Sequence, residues 1–315
     1  METTLKNSIV SALEAYLNEH TMSANTFATK SGVNASIISN LRSGKATVSA
    51  GGGKEVEIAD KYYAQIASAI NFKLTKEYWK VIETRQTLLA LSTLQDAKEN
   101  GYTNVIIGET GSGKTFTADL FARQYPHDVF SLKIAQTDTI TDVIDKIMDS
   151  LKINSSAKGK SRKIHEIVKH LRKLKLEGHK PLIIFDEAEY MKQPCMCAIK
   201  ALFDEINGEC GIIIIGTPQL LRNLDRLRKK DKDGIPQFYR RIKFGIRHLD
   251  SVDRSFKQFF NELSITDKEV IRFISRECEN YGELHDVLVP VLRELDRTGE
   301  DLTVANICKI LNYRG

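Results

Sequence analysis

The sequence predicts an α/β core built on a parallel sheet, preceded by an all-α helix-turn-helix domain and followed by a small helical domain. Three observations carry this expectation. Residues 104–107, 181–185 and 211–216 are short, nearly unbroken apolar runs, the pattern of strands covered on both faces. The first run feeds directly into a glycine-rich turn and then a helix-like stretch, residues 108–125. Toward both ends of the chain, apolar residues recur at helical spacing instead.

In residues 1–70, Leu5, Ile9, Ala12, Leu13, Tyr16 and Leu17 outline a first helix. Ala28 is small where two helices would cross, and Gly32 falls where a tight turn requires positive φ. Val33, Ile38 and Leu41 would pack the next helix inward. Asn34, Ser36, Ser39, Asn40 and Arg42 would then be left to meet DNA. On these residues the stretch 24–45 resembles a helix-turn-helix of the phage-repressor type; the competing use is a helical bundle for protein contacts. Residues 49–53, Ser-Ala-Gly-Gly-Gly, read as a flexible loop. Val56, Ala59, Tyr63, Ile66 and Ile70 read as a closing helix. The boundary is expected near Asn71, with residues 71–100 a helical connector holding the only tryptophan, Trp79.

Residues 101–250 are expected to form the α/β core and residues 251–315 a helical lid. Residues 129–134 read as a second strand, 139–151 and 161–176 as helices, and 181–187, 211–217 and 243–248 as further strands. Gly108, Glu109, Thr110, Gly111, Ser112, Gly113, Lys114 and Thr115 match G-x-x-x-x-G-K-[ST] without deviation. Glycines let backbone N–H groups curl around phosphates, and the following helix N-terminus adds partial positive charge. Lys114 is placed to reach the β- and γ-phosphates and the Thr115 hydroxyl to ligate Mg2+, so ATP and Mg2+ are the expected cofactors. Asp186, at a strand's carboxyl end, would sit beside the Mg2+. Glu187 would orient or deprotonate the attacking water. Thr217 is a candidate for a hydroxyl that senses the γ-phosphate, or else for a strand-to-loop hydrogen bond.

The 315 residues are 42% hydrophobic and 28% charged, which fits a globular protein of two or three domains. Cys195, Cys197, Cys210, Cys278 and Cys308 show no disulfide-framework spacing, and no second pair completes a zinc pattern. Free thiols in a reducing cytoplasm are expected. The N-terminus lacks the basic and apolar regions of a signal peptide, and no apolar run is long enough to predict a membrane span.

Charge is unevenly spread. Residues 1–70 carry six basic and six acidic side chains, although 34–54 contain Arg42, Lys45 and Lys54 and no acid. Residues 152–180 carry ten basic against two acidic side chains, and 218–247 ten against three; the stretch 251–315 is acidic, nine against twelve. Charge runs are usually solvated helix faces. The sharper expectation is a surface that tracks double-stranded DNA phosphates. Its candidates are Lys158, Lys160, Arg162, Lys163, Lys169, Arg172 and Lys173.

The phosphate loop, the paired acids, the polar strand end and the helical tail after Leu249 together resemble an AAA+ P-loop ATPase. That likeness implies strand order 5-1-4-3-2, a small helical lid, and ATP held between subunits with an arginine finger from the neighbour. Arg241 is the first candidate for that finger and Arg240 the second. A narrower likeness is to the phage Mu transposition protein B family. It rests on Glu83-Thr84, residues 108–115, Asp186-Glu187-Ala188-Glu189, Arg241-Ile242 and Gly282-Glu283-Leu284. This implies ATP-dependent helical filaments on DNA with little sequence preference, and recruitment of a cognate transposase that stimulates hydrolysis. Lids of this type often carry a nucleotide-contacting arginine where this chain has His285. Protonated His285 could serve, or the role is missing; Arg293 lies two turns further on. The rival functions are a helicase loader or replication initiator, and a nucleotide-switched transcription regulator.

Overall fold

A computed structural model describes residues 3–49, 55–70, 72, 78–154, 156–206 and 208–313. The chain divides into two compact units, Met1–Glu77 and Tyr78–Gly315.

The first unit contains α1 (Thr3–Glu19), α2 (Ala24–Ser31), α3 (Ala35–Arg42), the strands β1 (Thr47–Ser49) and β2 (Glu55–Glu57), and α4 (Asp60–Ala69). Ser23 caps α2 by accepting from the Thr26 N–H, and Gly32 ends it at φ 68°. Ile9, Leu13, Phe27, Ile38 and Ile66 form its fully buried centre. The unit is not all-α as the sequence suggests: β1 and β2 pair antiparallel, Val48 opposite Val56. Val56 therefore lies in a strand, half-exposed, and not on the closing helix. Two three-residue strands beside a glycine-rich stretch leave too little alternation to read from sequence. Most of the expected flexible loop, residues 50–53, lies outside the described residues, as does the expected boundary at Asn71.

In the second unit, α5 (Arg85–Asn100) leads into β3 (Thr103–Ile107), α6 (Lys114–Gln124), β4 (Val129–Lys133), α7 (Ile140–Ser150), α8 (Lys160–Leu176) and β5 (Leu182–Asp186). A short 3-10 turn (Ala188–Tyr190), α9 (Gln193–Ile206), β6 (Gly211–Gly216), α10 (Pro218–Lys229), α11 (Ile235–Ile242) and β7 (Ile246–His248) follow. The strands are all parallel and lie in the order β4-β5-β6-β3-β7. Counted within this sheet and read from the other edge, that is 5-1-4-3-2, as the resemblance implies.

The apolar runs alternate between two cores. Val105, Ile107, Ile183, Phe185, Ile212 and Ile214 face one side with α7, α8 and α9. Ile106, Leu182, Ile184, Ile213 and Ile215 face the other, under α5 and α6. Strand side chains alternate with period two, so burial on both faces demands apolar residues at every position. This corrects the connector reading for residues 85–100. Ala90, Leu94 and Ala97 of α5 are buried on the sheet. A Cβ at Gly211 would lie 2.4 Å from the Ala97 carbonyl oxygen, so the strand admits α5 only with glycine there. Helical periodicity gives the buried face of a helix but not what it packs against.

The lid comprises α12 (Lys257–Glu262), α13 (Lys268–Glu277), α14 (Tyr281–Thr298) and α15 (Val304–Leu311). Its own core centres on Phe256, Ile274, Leu284, Leu288 and Val291, and Trp79 and Ile82 pack against it. The buried Gln86 side chain donates to the carbonyls of Asp250 and Ser251 at 3.2 and 2.8 Å and accepts from the Tyr281 hydroxyl at 3.3 Å. One side chain of α5 thus ties the start of the lid to its central helix.

Candidate functional site

The loop between β3 and α6 lies at the carboxyl end of a strand flanked by later strands on both sides, where open α/β sheets place their ligands. Gly111 and Gly113 adopt φ of 71° and 84°, a region costly for other residues. Gly111 is doubly constrained: a Cβ there would come within 2.0 Å of Asn280 Oδ1 in the lid. The Tyr281 N–H also donates to the Gly111 carbonyl at 3.1 Å. The lid therefore rests directly on the loop.

Lys114 Nζ donates to the carbonyls of Gly108 and Glu109 at 2.8 and 2.6 Å. Burial pulls its pKa below the ordinary lysine value, while Glu189, Asp186 and Glu109 pull the other way. The Thr115 hydroxyl donates to Asp186 Oδ2 at 2.7 Å, and Asp186 is buried. These two oxygens are hard donors from the loop and the acidic strand end, a set that fits Mg2+. The other Asp186 oxygen accepts from the Glu187 N–H at 2.8 Å. Glu187 stands in the left-handed region, φ 53° and ψ 38°. Its carboxylate pairs with Lys133 Nζ at 2.8 Å, and that hydrogen bond holds the Lys133 ammonium above its usual pKa.

Thr217 begins α10 without using its side chain as a cap. Its N–H donates to Glu189 Oε2 at 3.2 Å. A cavity of about 320 Å³ adjoins the loop, within the range of small-ligand sites. Its walls include Trp79, Ile82, Phe116, Phe259, Tyr281 and His285. Trp79 stacks on Phe259 and meets the His285 ring edge-on, both with centroids 5.1 Å apart. His285 Nδ1 lies 3.0 Å from Asp286 Oδ1. Of the expected site residues, Gly111, Gly113, Lys114, Thr115 and His285 line this cavity, and Asp186 and Glu187 join Thr115 through successive hydrogen bonds.

Sequence reasoning named Trp79 and Glu189 without site roles, counted Lys133 only as part of a strand, and passed over Tyr281 and Gln86. The acidic string Asp186-Glu187-Ala188-Glu189 was the visible signal for Glu189. Lys133 had none, because its partner is far away in sequence.

The arginine candidates separate. Arg241 is committed within its own chain: Nε donates to Asp204 Oδ1 at 2.6 Å, and its side chain is 23% exposed. In this chain the ion pair holds Arg241 on α9, whereas Arg240 is exposed with no ion-pair partner among the described residues.

The DNA candidates separate likewise. Asn34 caps α3, accepting from the Ser36 N–H at 2.9 Å, and the Ser36 hydroxyl donates to the same oxygen at 3.0 Å. Asn40 Nδ2 donates to the Thr47 carbonyl at 2.9 Å, anchoring β1. Asn34 Oδ1 and Asn40 Nδ2 are thus engaged in the local fold. Ser39 and Arg42 remain exposed, and Arg42 lies 3.8 Å from Glu14. On and before α8, Lys163 pairs with Asp145, Arg172 with Glu209 and Lys173 with Glu177. Lys158, Lys160, Arg162 and Lys169 are exposed and carry no ion-pair partner among the described residues.

Residues 98–224 match the family model described as an AAA domain. Among solved structures, the chain is similar to Cdc6p from Pyrobaculum aerophilum at TM-score 0.53 and 15% identity, over 71% of this chain and 65% of that one. It is also similar to the replication initiator DnaA bound to AMPPCP and single-stranded DNA, at TM-score 0.45 and 17% identity, over 70% of this chain and 66% of that one. The chain thus spans just under two thirds of either protein's length. No curated protein matches it. Sheet order, lid and domain match agree: the fold is that of an AAA+ P-loop NTPase. Among the described residues no helix is long and apolar enough to cross a membrane.

Proposed function

We propose that the chain binds and hydrolyses ATP with Mg2+ and couples that cycle to assembly on double-stranded DNA. The observation that carries the nucleotide reading is the Thr115–Asp186 contact at 2.7 Å, beside Lys114 and one residue before Glu187. Thr115 and Asp186 would hold Mg2+, which would offset phosphate charge there. Lys114 would exchange its two carbonyl partners for phosphate oxygens. Glu187, once released from Lys133, would orient water and accept its proton. Trp79, Phe259 and Tyr281 supply flat apolar walls for the base, and His285 is the lid's polar group there. Arg240 of a neighbouring copy would complete the site.

The DNA reading rests on the unpaired Lys158, Lys160, Arg162 and Lys169. In the finer form of this proposal, the protein forms filaments with little sequence preference and presents target DNA to a transposase. The sequence likeness to the Mu transposition protein B family and the basic character of α8 support it. A second reading, replication initiation, draws on the fold likeness to Cdc6p.

Electron microscopy of the full chain with random duplex DNA, with and without ATP, separates them. Extended ATP-dependent filaments are expected; rings or discrete complexes on one sequence would favour initiation. The Glu187→Gln variant is expected to retain ATP and prolong the DNA-bound state. Wild-type turnover in that variant would remove Glu187 from its assigned role.

A further inference from the structure

Helix α10 starts on a threonine that does not cap it. Thr217 occupies the N-cap with φ −85° and ψ 169°, and its side chain makes no capping hydrogen bond. A threonine there ordinarily accepts from a backbone N–H in the first turn. The carboxylate at this helix end comes from Glu189, on the turn after β5, whose Oε2 accepts from the Thr217 N–H at 3.2 Å. The Glu189 carbonyl accepts from Asn223 Nδ2, further along α10, also at 3.2 Å. Both groups of one residue therefore pin α10 to the end of β5. Gly216 leaves the space: a Cβ there would lie 3.0 Å from Glu189 Oε2.

We infer that Glu189 is a positioning residue for hydrolysis: by holding the Thr217 N–H, it keeps the Thr217 hydroxyl off its own helix and available to the γ-phosphate. Glu187 and Glu189 then divide the work. Glu187 serves the water, while Glu189 sets the polar end of β6. The inference rests on the ATPase reading above.

Two conservative variants separate reach from charge. Glu189→Gln keeps an oxygen that accepts from Thr217 and removes the charge; Glu189→Asp keeps the charge and withdraws the oxygen by one methylene. ATP turnover is measured for both, for Thr217→Ala and for the Asp/Ala double variant, alongside melting temperature and affinity for a fluorescent ATP analogue. Glu189→Gln is expected to keep most of kcat. Glu189→Asp is expected to lose roughly tenfold in kcat with affinity within about twofold. In the Thr217→Ala background the Asp change is expected to cost nothing further, because both act through one group. Losses that multiply in the double variant would overturn the inference. So would a wild-type kcat in Glu189→Asp, or a slow Glu189→Gln with a fast Glu189→Asp, which would make the charge the active property. Absence of ATP turnover in the wild type would instead remove the ATPase reading itself, and this inference with it.

Discussion

The contact of Lys133 with Glu187 sets the terms at the scale of single residues. Glu187 holds a left-handed backbone that costs a non-glycine residue about 1 kcal/mol or more, and its carboxylate is tied to a largely exposed lysine. An exposed ion pair is worth about 0–1 kcal/mol, so release of Glu187 is cheap. Lys133→Ala is accordingly expected to raise ATP turnover without DNA by up to about fivefold, measured as phosphate release at saturating ATP; a fall would show that Lys133 helps rather than restrains. Arg241 illustrates the opposite case. Its ion pair with Asp204 is partly buried, and there Lys200 and Arg241 outweigh burial and hold the carboxyl below its usual pKa. Nothing in the dipeptide Arg240-Arg241 distinguishes the committed arginine from the exposed one, because Asp204 lies on another helix.

At the scale of elements, the phosphate loop was legible because its chemistry is local: eight consecutive residues specify turn, lysine and hydroxyl. The central strands were legible because two-sided burial leaves few polar positions, Asn104 among them. The hairpin β1–β2 and the packing of α5 were not, since pairing and docking partners are set by distant residues. The far end of the sheet holds another such long-range cluster. Lys98 of α5 is buried and pairs with Asp128 at 2.9 Å, and His179 Nδ1 meets the other Asp128 oxygen at 2.7 Å. Burial raises the Asp128 pKa, but the Lys98 and His179 hydrogen bonds outweigh it and the net shift is downward. A carboxyl depressed in the folded state contributes stability above its unfolded pKa, and that contribution is lost as pH falls through the folded value. Asp128→Asn is therefore expected to lower the melting temperature at neutral pH, with the gap to wild type closing under acid. Because Lys98 would be left buried without its counter-charge, the neutral-pH cost is about 3 kcal/mol. A gap that stays constant between neutral and strongly acidic pH would remove the ion pair as its cause.

For the whole molecule, charge segregation is the property that sequence composition already announced. The α/β core carries the excess of basic residues and the lid is acidic, but only the structure divides the cations of α8 into those held by acids and those with no ion-pair partner among the described residues. Each phosphate contact adds about 0.9 to the steepness of affinity against salt on a logarithmic scale. Reversing Lys160 and Arg162 to Glu is expected to weaken binding to random duplex DNA uniformly and to flatten that dependence by roughly two, read by fluorescence anisotropy across a salt series. An unchanged slope would place the DNA elsewhere. Lys163→Glu should act differently, since Lys163 is already engaged by Asp145, and its effect is expected on melting temperature before affinity.

The stacking of Trp79 on Phe259 and against His285 has an optical consequence. Trp79 is the chain's one tryptophan, and it lines the cavity beside the phosphate loop together with two lid residues. Its emission therefore arises from a single place, unmixed with any other indole. A ligand entering that cavity, or a shift of the lid across it, changes the polarity and quenching around this one fluorophore. The unlabelled protein thus carries its own spectroscopic gauge, usable in stopped flow to time the arrival and departure of nucleotide.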